Sequence, residues 1–263
     1  MTKPFTVATW NVNSIRSRLT HVIDWLRAHS PDVLCLQETK VQDTEFPVEP
    51  FEEAGYIATF YGQKSYNGVA MLSLDEPEAV QRGFPNEPAD AQRRLLAATF
   101  DGIRLVNVYI PNGGESPKDP KFTYKMQFLE QLETYLTTMY TPQTPLLVCG
   151  DFNIAPGDLD LFEPDKYRES VMFHSREHAF LNRWETWGLV DLVRQQHPDQ
   201  PELYTWWDYR TTAFPRNRGW RIDHIWVTPP LVERCALTRI DRDERGKDKP
   251  SDHVPVVAGF HRE

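Results

Sequence analysis

The chain has 263 residues, of which 40% are hydrophobic and 25% charged, a composition typical of a soluble globular protein with one large core. No stretch reaches the roughly 18 apolar residues of a membrane span, and residues 1–6 lack a signal-peptide pattern. Three cysteines without CxxC spacing argue against a disulfide framework and against a structural zinc site. We therefore expect a single domain over residues 1–263, cytoplasmic, monomeric and without a membrane partner.

The net charge of −9 argues against nucleic-acid binding, because neutralisation of phosphates by Lys and Arg supplies most of the non-specific affinity. This objection weakens if basic residues gather around one cleft. The candidates are Lys118, Lys121, Lys125, Arg210, Arg216, Arg218, Arg221, Lys247 and Lys249. Taken singly, each is more typical of a solvated face.

Strand and helix signals alternate along the chain without a Gly/Ser linker or an obvious repeat. In chain order they predict a strand at 5–10, a helix around 19–26 that ends at Ser30-Pro31, strands at 32–36, 57–61, 69–73, 95–100 and 104–109, a helix around 128–139, and strands at 146–148 and 222–227. This pattern predicts an α/β fold with two packed sheets and helices outside them.

Polar residues stand at or near the ends of several predicted strands, where functional sites usually form. The segments are Thr9-Trp10-Asn11, Leu36-Gln37-Glu38-Thr39-Lys40, Cys149-Gly150-Asp151-Phe152-Asn153, Trp220-Arg221-Ile222-Asp223 and Ser251-Asp252-His253. A single Asp or His at such a place is more often a cap or turn residue. The prediction of a site therefore depends on all five segments converging in one cleft.

These residue types suit metal-assisted hydrolysis of a phosphodiester. A hard cation such as Mg²⁺ is held by one or two carboxylates, so Glu38, with Asn11 beside it, is the expected ligand. Asp151 with Asn153 would orient and deprotonate an attacking water. His253, oriented by Asp223, would bind a phosphoryl oxygen or move a proton.

With these motifs the chain resembles the exonuclease III and abasic-site endonuclease family of the endonuclease/exonuclease/phosphatase superfamily. The resemblance runs from Thr6 to about Phe260. It is carried by residues 10–16, 36–40, 107–113, 150–156, 219–224 and 251–253. It implies the DNase I-like, four-layer sandwich of two mostly antiparallel sheets between helices, with Asn11 and Glu38 at a Mg²⁺ or Mn²⁺ ion.

The resemblance also implies further roles. Tyr109 would contact the scissile phosphate, Asp151 and Asn153 would align the water, and Asp223 and His253 would form a dyad, with Asp252 a further metal ligand or support. An aromatic and aliphatic pocket would accept a flipped sugar that lacks its base. We expect substrate contacts from Asn112, Lys121, Trp206, Trp220, Arg221 and Ile222. Trp207 fits the pocket and the core equally well.

The implied partner is double-stranded DNA with abasic sites or recessed 3′ ends. The implied activities are those of an abasic endonuclease, a 3′-to-5′ exonuclease and a 3′-phosphodiesterase. The 150–153 and 251–253 motifs are shared by the whole superfamily, whereas the segments 37–40, 109–112 and 219–223 favour DNA repair.

Three other functions compete with this one. A sibling phosphodiesterase acting on RNA or phospholipid would share the metal and dyad residues, and a binding homologue could have lost catalysis. The segment His174-Ser175-Arg176-Glu177-His178 matches the HxxEH pattern of some zinc proteases, but no third ligand is evident, and we interpret it as the start of a surface helix.

Overall fold

Two six-stranded sheets form the centre of the fold. In the computed structural model, which describes residues 3–262, the strand orders are β11-β12-β1-β2-β4-β3 and β5-β6-β7-β8-β10-β9. The strands are β1 Phe5–Asn11, β2 Val33–Gln37, β3 Ile57–Tyr61, β4 Val69–Ser73, β5 Glu78–Arg82, β6 Leu95–Phe100, β7 Ile103–Tyr109, β8 Leu146–Asp151, β9 Val190–Asp191, β10 Asp223–Val227, β11 Cys235–Ile240 and β12 Val256–Phe260. Only β1–β2 and β7–β8 pair in parallel among the pairings of these named strands.

Two helices cover the outer face of each sheet. The helices are α1 Ile15–His29, α2 Val48–Glu53, α3 Pro120–Met139, α4 Pro164–Tyr167, α5 Ser175–Trp187, α6 Leu192–Gln196 and α7 Pro229–Glu233. Side chains of α1 and α2 pack on the first sheet, and those of α3 and α5 pack on the second. The four-layer prediction is confirmed.

The main core lies between the sheets, where side chains of both inner faces meet. Central strands such as β2 and β4 are buried along their whole length, which explains their continuous apolar sequences. Cys35 and Cys149 lie in this core as free thiols, as their apolar surroundings predict. None of the described helices has the length and apolar character needed to cross a bilayer.

The predicted strands and both predicted helices are present, but several elements were missed. The strands β5 and β11 lie at sheet edges and expose much of their length, so their sequences lack apolar alternation. The strand β9 has only two residues. The buried strand β12 had a readable apolar sequence and was overlooked.

A buried guanidinium holds together the loops that lead into β10. Arg221 is fully enclosed, with Nε 2.7 Å from Asp160 Oδ1 and Nη2 2.7 Å from Asp191 Oδ2. Arg194 adds a second cation to Asp160 at 2.5 Å. The prediction that Arg221 contacts substrate is therefore wrong, because its charged group is neutralised inside the protein and cannot reach a bound ligand.

We predict that Arg221→Met destabilises the fold by about 3–5 kcal/mol, because it leaves buried carboxylates without their main partner. Urea denaturation followed by circular dichroism measures the change. Arg168→Met is the control, since it removes an exposed guanidinium from its pairs with Asp158 and Asp165, and it should leave the midpoint nearly unchanged. Equal midpoints for both variants would contradict a structural role for Arg221.

Candidate active site

Three predicted site residues form one row across the second sheet. Tyr109 of β7 pairs with Asp151 of β8, and Asp151 pairs with Asp223 of β10. Residues in register on neighbouring strands point to the same face. The strand pairing alone therefore places a phenol and two carboxylates side by side at one end of the sheet.

Gly150 makes this row possible. Its φ is +144°, and a Cβ on it would lie 1.8 Å from the carbonyl oxygen of Val108 on the neighbouring strand. Any larger residue would push β8 away from β7 and separate Asp151 from Tyr109. The glycine of the Cys149-Gly150-Asp151 motif is thus required for close approach of two backbones.

The first sheet contributes Glu38 and Asn11 to the same cleft. Asn11 ends β1, and its Nδ2 donates hydrogen bonds to Glu38 Oε1 at 2.9 Å and to Asp151 Oδ2 at 2.8 Å. Its Oδ1 accepts from the backbone N–H of Asn13. In this arrangement Asn11 presents a donor to both carboxylates, so it orients them and does not fit the metal-ligand role that we predicted.

Glu38 has a cation beside it already. Lys40 Nζ lies 2.8 Å from Glu38 Oε2, and the same ammonium donates to Asn13 Oδ1 at 2.5 Å. Burial by itself raises the pKa of Glu38, but Lys40 and the Asn11 hydrogen bond outweigh it and lower the pKa below its ordinary value. Sequence reasoning missed Lys40 and Asn13, although both lie within the quoted motifs.

Asp151 is almost fully buried, with 1% of its surface exposed. Oδ1 accepts from the Asn153 backbone N–H at 2.9 Å, and Oδ2 accepts from Asn11 and, at 3.2 Å, from Asn153 Nδ2. Burial, together with the neighbouring carboxylates of Asp223 and Glu38, raises the pKa of Asp151 to about 7. Asn153, at φ 51°, thus holds Asp151 in place with both its backbone and its side chain.

His253 joins the row from the loop before β12. Its Nδ1 lies 2.8 Å from Asp223 Oδ2, and its Nε2 faces Asp151 Oδ2 at 3.8 Å. Burial lowers the pKa of the imidazole, but the carboxylates of Asp223 and Asp151 outweigh burial and raise it to about 10. The ring is therefore an imidazolium at neutral pH, with its second N–H aimed at the space beside Asp151.

Tyr109 stays protonated in this setting. Burial, together with the carboxylates of Glu38 and Asp151, raises the pKa of Tyr109 well above its ordinary value. Arg94 stacks on the phenol ring at 4.5 Å and donates to the Tyr109 carbonyl at 3.0 Å. Sequence reasoning missed Arg94, because nothing near it in the chain marks it as part of the site.

The Asp252 carboxylate accepts hydrogen bonds from two side chains of the site. Its Oδ2 accepts from Trp206 Nε1 at 3.0 Å, and its Oδ1 accepts from Asn13 Nδ2 at 3.0 Å. We predicted that Asp252 is either a metal ligand or a support for other site residues. These hydrogen bonds fit the supporting role better.

Trp206 and Trp220 form the walls of a pocket beside His253. The two residues exchange backbone hydrogen bonds of 2.9 Å, so their side chains share a face, and the Trp206 and His253 rings are 6.5 Å apart. The cavity of about 370 Å³ is also lined by Phe162, Lys166, Tyr167, Met172 and Arg218. The cavity lies next to the row of Tyr109, Asp151, Asp223 and His253, which we call the catalytic row. The predicted sugar pocket requires such a position.

Two other residues near the pocket belong to the core. Ile222 is 1% exposed and packs in a cluster with Trp220. It supports the pocket wall from beneath, so the prediction that it contacts substrate does not fit. Trp207 is fully buried against Tyr204 and Val254. Of its two predicted places, the pocket and the core, it therefore lies in the core.

A second open cavity, of about 500 Å³, lies on the other side of Tyr109. Asn112 and Lys121 line it together with Arg94 and Tyr124. Asn112 also donates to Asn153 Oδ1 at 3.2 Å. Both predicted substrate-binding residues thus face open space beside the row.

The basic residues that we expected around the cleft divide into two groups. Lys118, Lys121, Arg210, Arg216, Arg218, Lys247 and Lys249 are exposed. Lys125 is fully buried in an ion pair with Glu177, so it cannot contact DNA.

Glu177 also lies in the HxxEH segment, which begins α5 through a capping box with His174. No zinc site forms there among residues 3–262, and the expected surface helix has a buried Glu177.

The acidic donor set of the cleft fits a hard divalent cation. Asp151, Asp223 and His253 have ligand atoms within 4.8 Å of one another, but His253 is committed to Asp223 and is protonated. Asp223 Oδ1 is buried without a hydrogen-bond donor among the described residues. Glu38, linked to Asp151 through the shared Asn11 amide and paired with Lys40, adds a further carboxylate to this donor set.

Known proteins resemble this chain over nearly its whole length. It is 38% identical to an exodeoxyribonuclease III of Haemophilus influenzae, over 96% of this chain and 98% of that protein. It is 34% identical to an exodeoxyribonuclease of Bacillus subtilis, over 94% and 96%, and 31% identical to the DNA repair nuclease APEX1 of Danio rerio, over 95% and 80%.

Solved structures superpose closely on the fold. The 3′ phosphatase NExo from Neisseria, bound to a product DNA hairpin, has a TM-score of 0.93 and 40% identity, over 98% of this chain and 99% of that one. An AP endonuclease from Archaeoglobus fulgidus has a TM-score of 0.93 and 44% identity, over 97% and 99%. The model of the Endonuclease/Exonuclease/phosphatase family matches residues 8–253, and the chain belongs to that family.

Proposed function

We propose that this protein is a metal-dependent DNA repair nuclease that hydrolyses phosphodiesters at abasic sites and at 3′ ends of duplex DNA. The observation that carries the proposal is the catalytic row with an aromatic pocket directly beside it. The pocket suits a sugar without its base, and the row suits the adjoining phosphate. The named activities of the similar proteins support this substrate class.

In the proposed mechanism the scissile phosphate lies over Tyr109 and His253. The phenol O–H and the imidazolium N–H donate to non-bridging oxygens and stabilise the charge that develops as water attacks. Asp223 keeps the imidazolium in place through Nδ1. Since His253 already holds its proton, it is an electrostatic group in this step and not the base.

Asp151 takes the proton from the attacking water. Its carboxylate is held by Asn11 and Asn153 and faces the same space as His253 Nε2. A pKa near 7 gives both a populated carboxylate and useful basicity at neutral pH. The O–P bond to the leaving 3′ oxygen of the DNA breaks as the water oxygen bonds to phosphorus.

A Mg²⁺ or Mn²⁺ ion held by Glu38 would neutralise phosphate charge and stabilise the departing oxygen. Digestion of three end-labelled duplexes tests the proposed function as a whole. One carries a central abasic analogue, one a recessed 3′ end, and one is undamaged. Product lengths distinguish internal incision from end resection, and no cleavage of any duplex would favour a sibling phosphodiesterase or a binding homologue.

We predict that cleavage stops in excess chelator and returns with Mg²⁺ or Mn²⁺. Glu38→Gln should raise the metal concentration for half-maximal rate by about tenfold or more, because it removes a charged oxygen ligand. Glu45→Gln, at an exposed glutamate paired with Arg16, is the control. Full activity of the wild type in chelator would exclude the metal-dependent mechanism.

We predict that Asp151→Asn lowers the single-turnover rate by roughly 10²- to 10⁴-fold, the usual contribution of a general base. Affinity for uncleaved abasic duplex should hold or rise at low salt, because the change removes a negative charge facing phosphate. The wild-type rate should rise with pH up to about pH 7, since protonation of Asp151 below that pKa removes the base. The residual rate of the Asp151→Asn protein should not show this rise with pH.

The control is Asp165→Asn, which removes an equal charge from a 90% exposed side chain. It should leave the rate unchanged. An Asp151→Asn protein that cuts normally, or that folds but fails to bind, would leave Asp151 with only a structural role.

We predict that Trp206→Ala/Trp220→Ala reduces incision at abasic sites at least tenfold more than metal-dependent cleavage of undamaged ends. The pocket packs against the flipped sugar and so offsets the cost of extrusion. The ratio of rates on the two duplexes is the measurement. Trp187→Ala, at a half-buried tryptophan of α5, controls for general destabilisation. Equal losses on both duplexes would assign the two residues to the core.

A further inference from the structure

Lys125 is a fully buried ammonium on α3 that points at the backbone of the catalytic loops. Its Nζ donates to the carbonyl of Asn153 at 2.6 Å and to the carbonyl of Asn112 at 3.3 Å. These carbonyls lie in the loops that follow β8 and β7, directly after Asp151 and Tyr109. One cation thus ties together the ends of two neighbouring strands of the catalytic row.

Glu177 completes the arrangement from the first turn of α5. Its carboxylate pairs with Lys125 and also accepts from the backbone N–H groups of Met172 at 3.2 Å and His174 at 3.0 Å. Met172 lines the aromatic pocket, and its carbonyl accepts from the Ala155 N–H at 2.8 Å. The buried pair therefore connects the pocket wall to the loop that carries Asn153.

The position of Asn153 is what this pair controls most directly. Asn153 has a left-handed backbone, with φ 51°, a conformation that is uncommon for residues with a side chain, although asparagine adopts it more often than most. Lys125 donates to the carbonyl of Asn153 from one side. The backbone N–H and the side chain of Asn153 donate to Asp151 from the other side. A small rotation of this one residue would turn Asp151 away from His253.

Resting on the proposed function, we infer that Lys125 and Glu177 form a positioning pair for the reaction: they fix the Asn153 loop, and with it Asp151, relative to the pocket. Neither side chain faces the cleft, so neither is a catalytic residue. They act through the backbone of Asn153, Asn112 and Met172.

Stability alone does not account for a charged pair at this place. Taking two charges out of water costs so much that buried ion pairs are often no more stable than apolar pairs of the same size. Helices α3 and α5 also have a second, exposed link through Glu133 and Arg183. The feature specific to the buried pair is its set of hydrogen bonds to three loop segments of the site.

The test is the double variant Lys125→Met/Glu177→Gln, which keeps the shapes of both side chains and avoids leaving a single buried charge. We expect kcat on the abasic duplex to fall about 10- to 100-fold while KM changes less than about threefold, since misplacement of a catalytic group by about 1 Å can lower the rate by about 10²-fold. The melting temperature should stay close to that of the wild type.

Arg183→Met is the matched control, because it breaks the exposed ion pair between the same two helices and should leave both kcat and KM unchanged. The single variants Lys125→Met and Glu177→Gln should melt at lower temperatures than the double variant, which separates the cost of an unpaired buried charge from the loss of positioning. A double variant with wild-type kcat overturns the inference, and so does one in which kcat falls only in proportion to the folded fraction. If the wild type itself cleaves no DNA, the proposed function fails instead, so the two failures are distinguishable.

Discussion

The site depends on one amide nitrogen that joins the two sheets. Asn11 Nδ2 donates to Glu38 at the end of β2 and to Asp151 at the end of β8, so a single side chain sets the distance between the carboxylates of opposite layers. Two carboxylates in a buried space repel each other, and a shared donor reduces that repulsion. Without it, the Glu38 and Asp151 carboxylates would lie close together with no shared donor to offset their repulsion.

A second buried amide pair fixes the register of the sheets beneath the site. Gln37 Nε2 on the first sheet donates to Asn107 Oδ1 on the second at 2.7 Å, and Asn107 Nδ2 donates back to the carbonyls of Leu36 and Ala70. An apolar interface alone would tolerate sliding, whereas these directional bonds have one satisfied arrangement. This register also fixes the relative positions of Glu38 and Tyr109, which lie one residue after Gln37 and two residues after Asn107.

Charge in the cleft is distributed to suit an anionic substrate despite the acidic chain. The carboxylates of Asp223, Asp151 and Asp252 raise the pKa of His253, while Lys40 and Arg94 border the same space. The carboxylates therefore serve to hold cations in the cleft, whether imidazolium, ammonium or a metal ion. Under the proposed function, these cations offset the carboxylates where a phosphate would bind, although the protein as a whole has a net charge of −9.

The sequence by itself determined the strands of the central layers, two long helices and the residue types of the catalytic row. Apolar periodicity is a local property, and polar residues interrupt it at the strand ends, so residues such as Glu38, Asp151 and Asp223 are readable one segment at a time. Edge strands such as β5 and β11 were not readable, because their half-exposed sequences lack that contrast.

Only the tertiary structure decided what each polar group faces. Arg221 and Lys125 have the sequence context of substrate-binding cations, yet both are enclosed with carboxylates from distant segments. Asn11 was a plausible ligand until its amide nitrogen was seen to face Glu38 and Asp151, and Arg94 became part of the site only by stacking on Tyr109. Burial, orientation and ion pairing between segments are set by how the layers pack, and a linear pattern of residues contains no record of that packing.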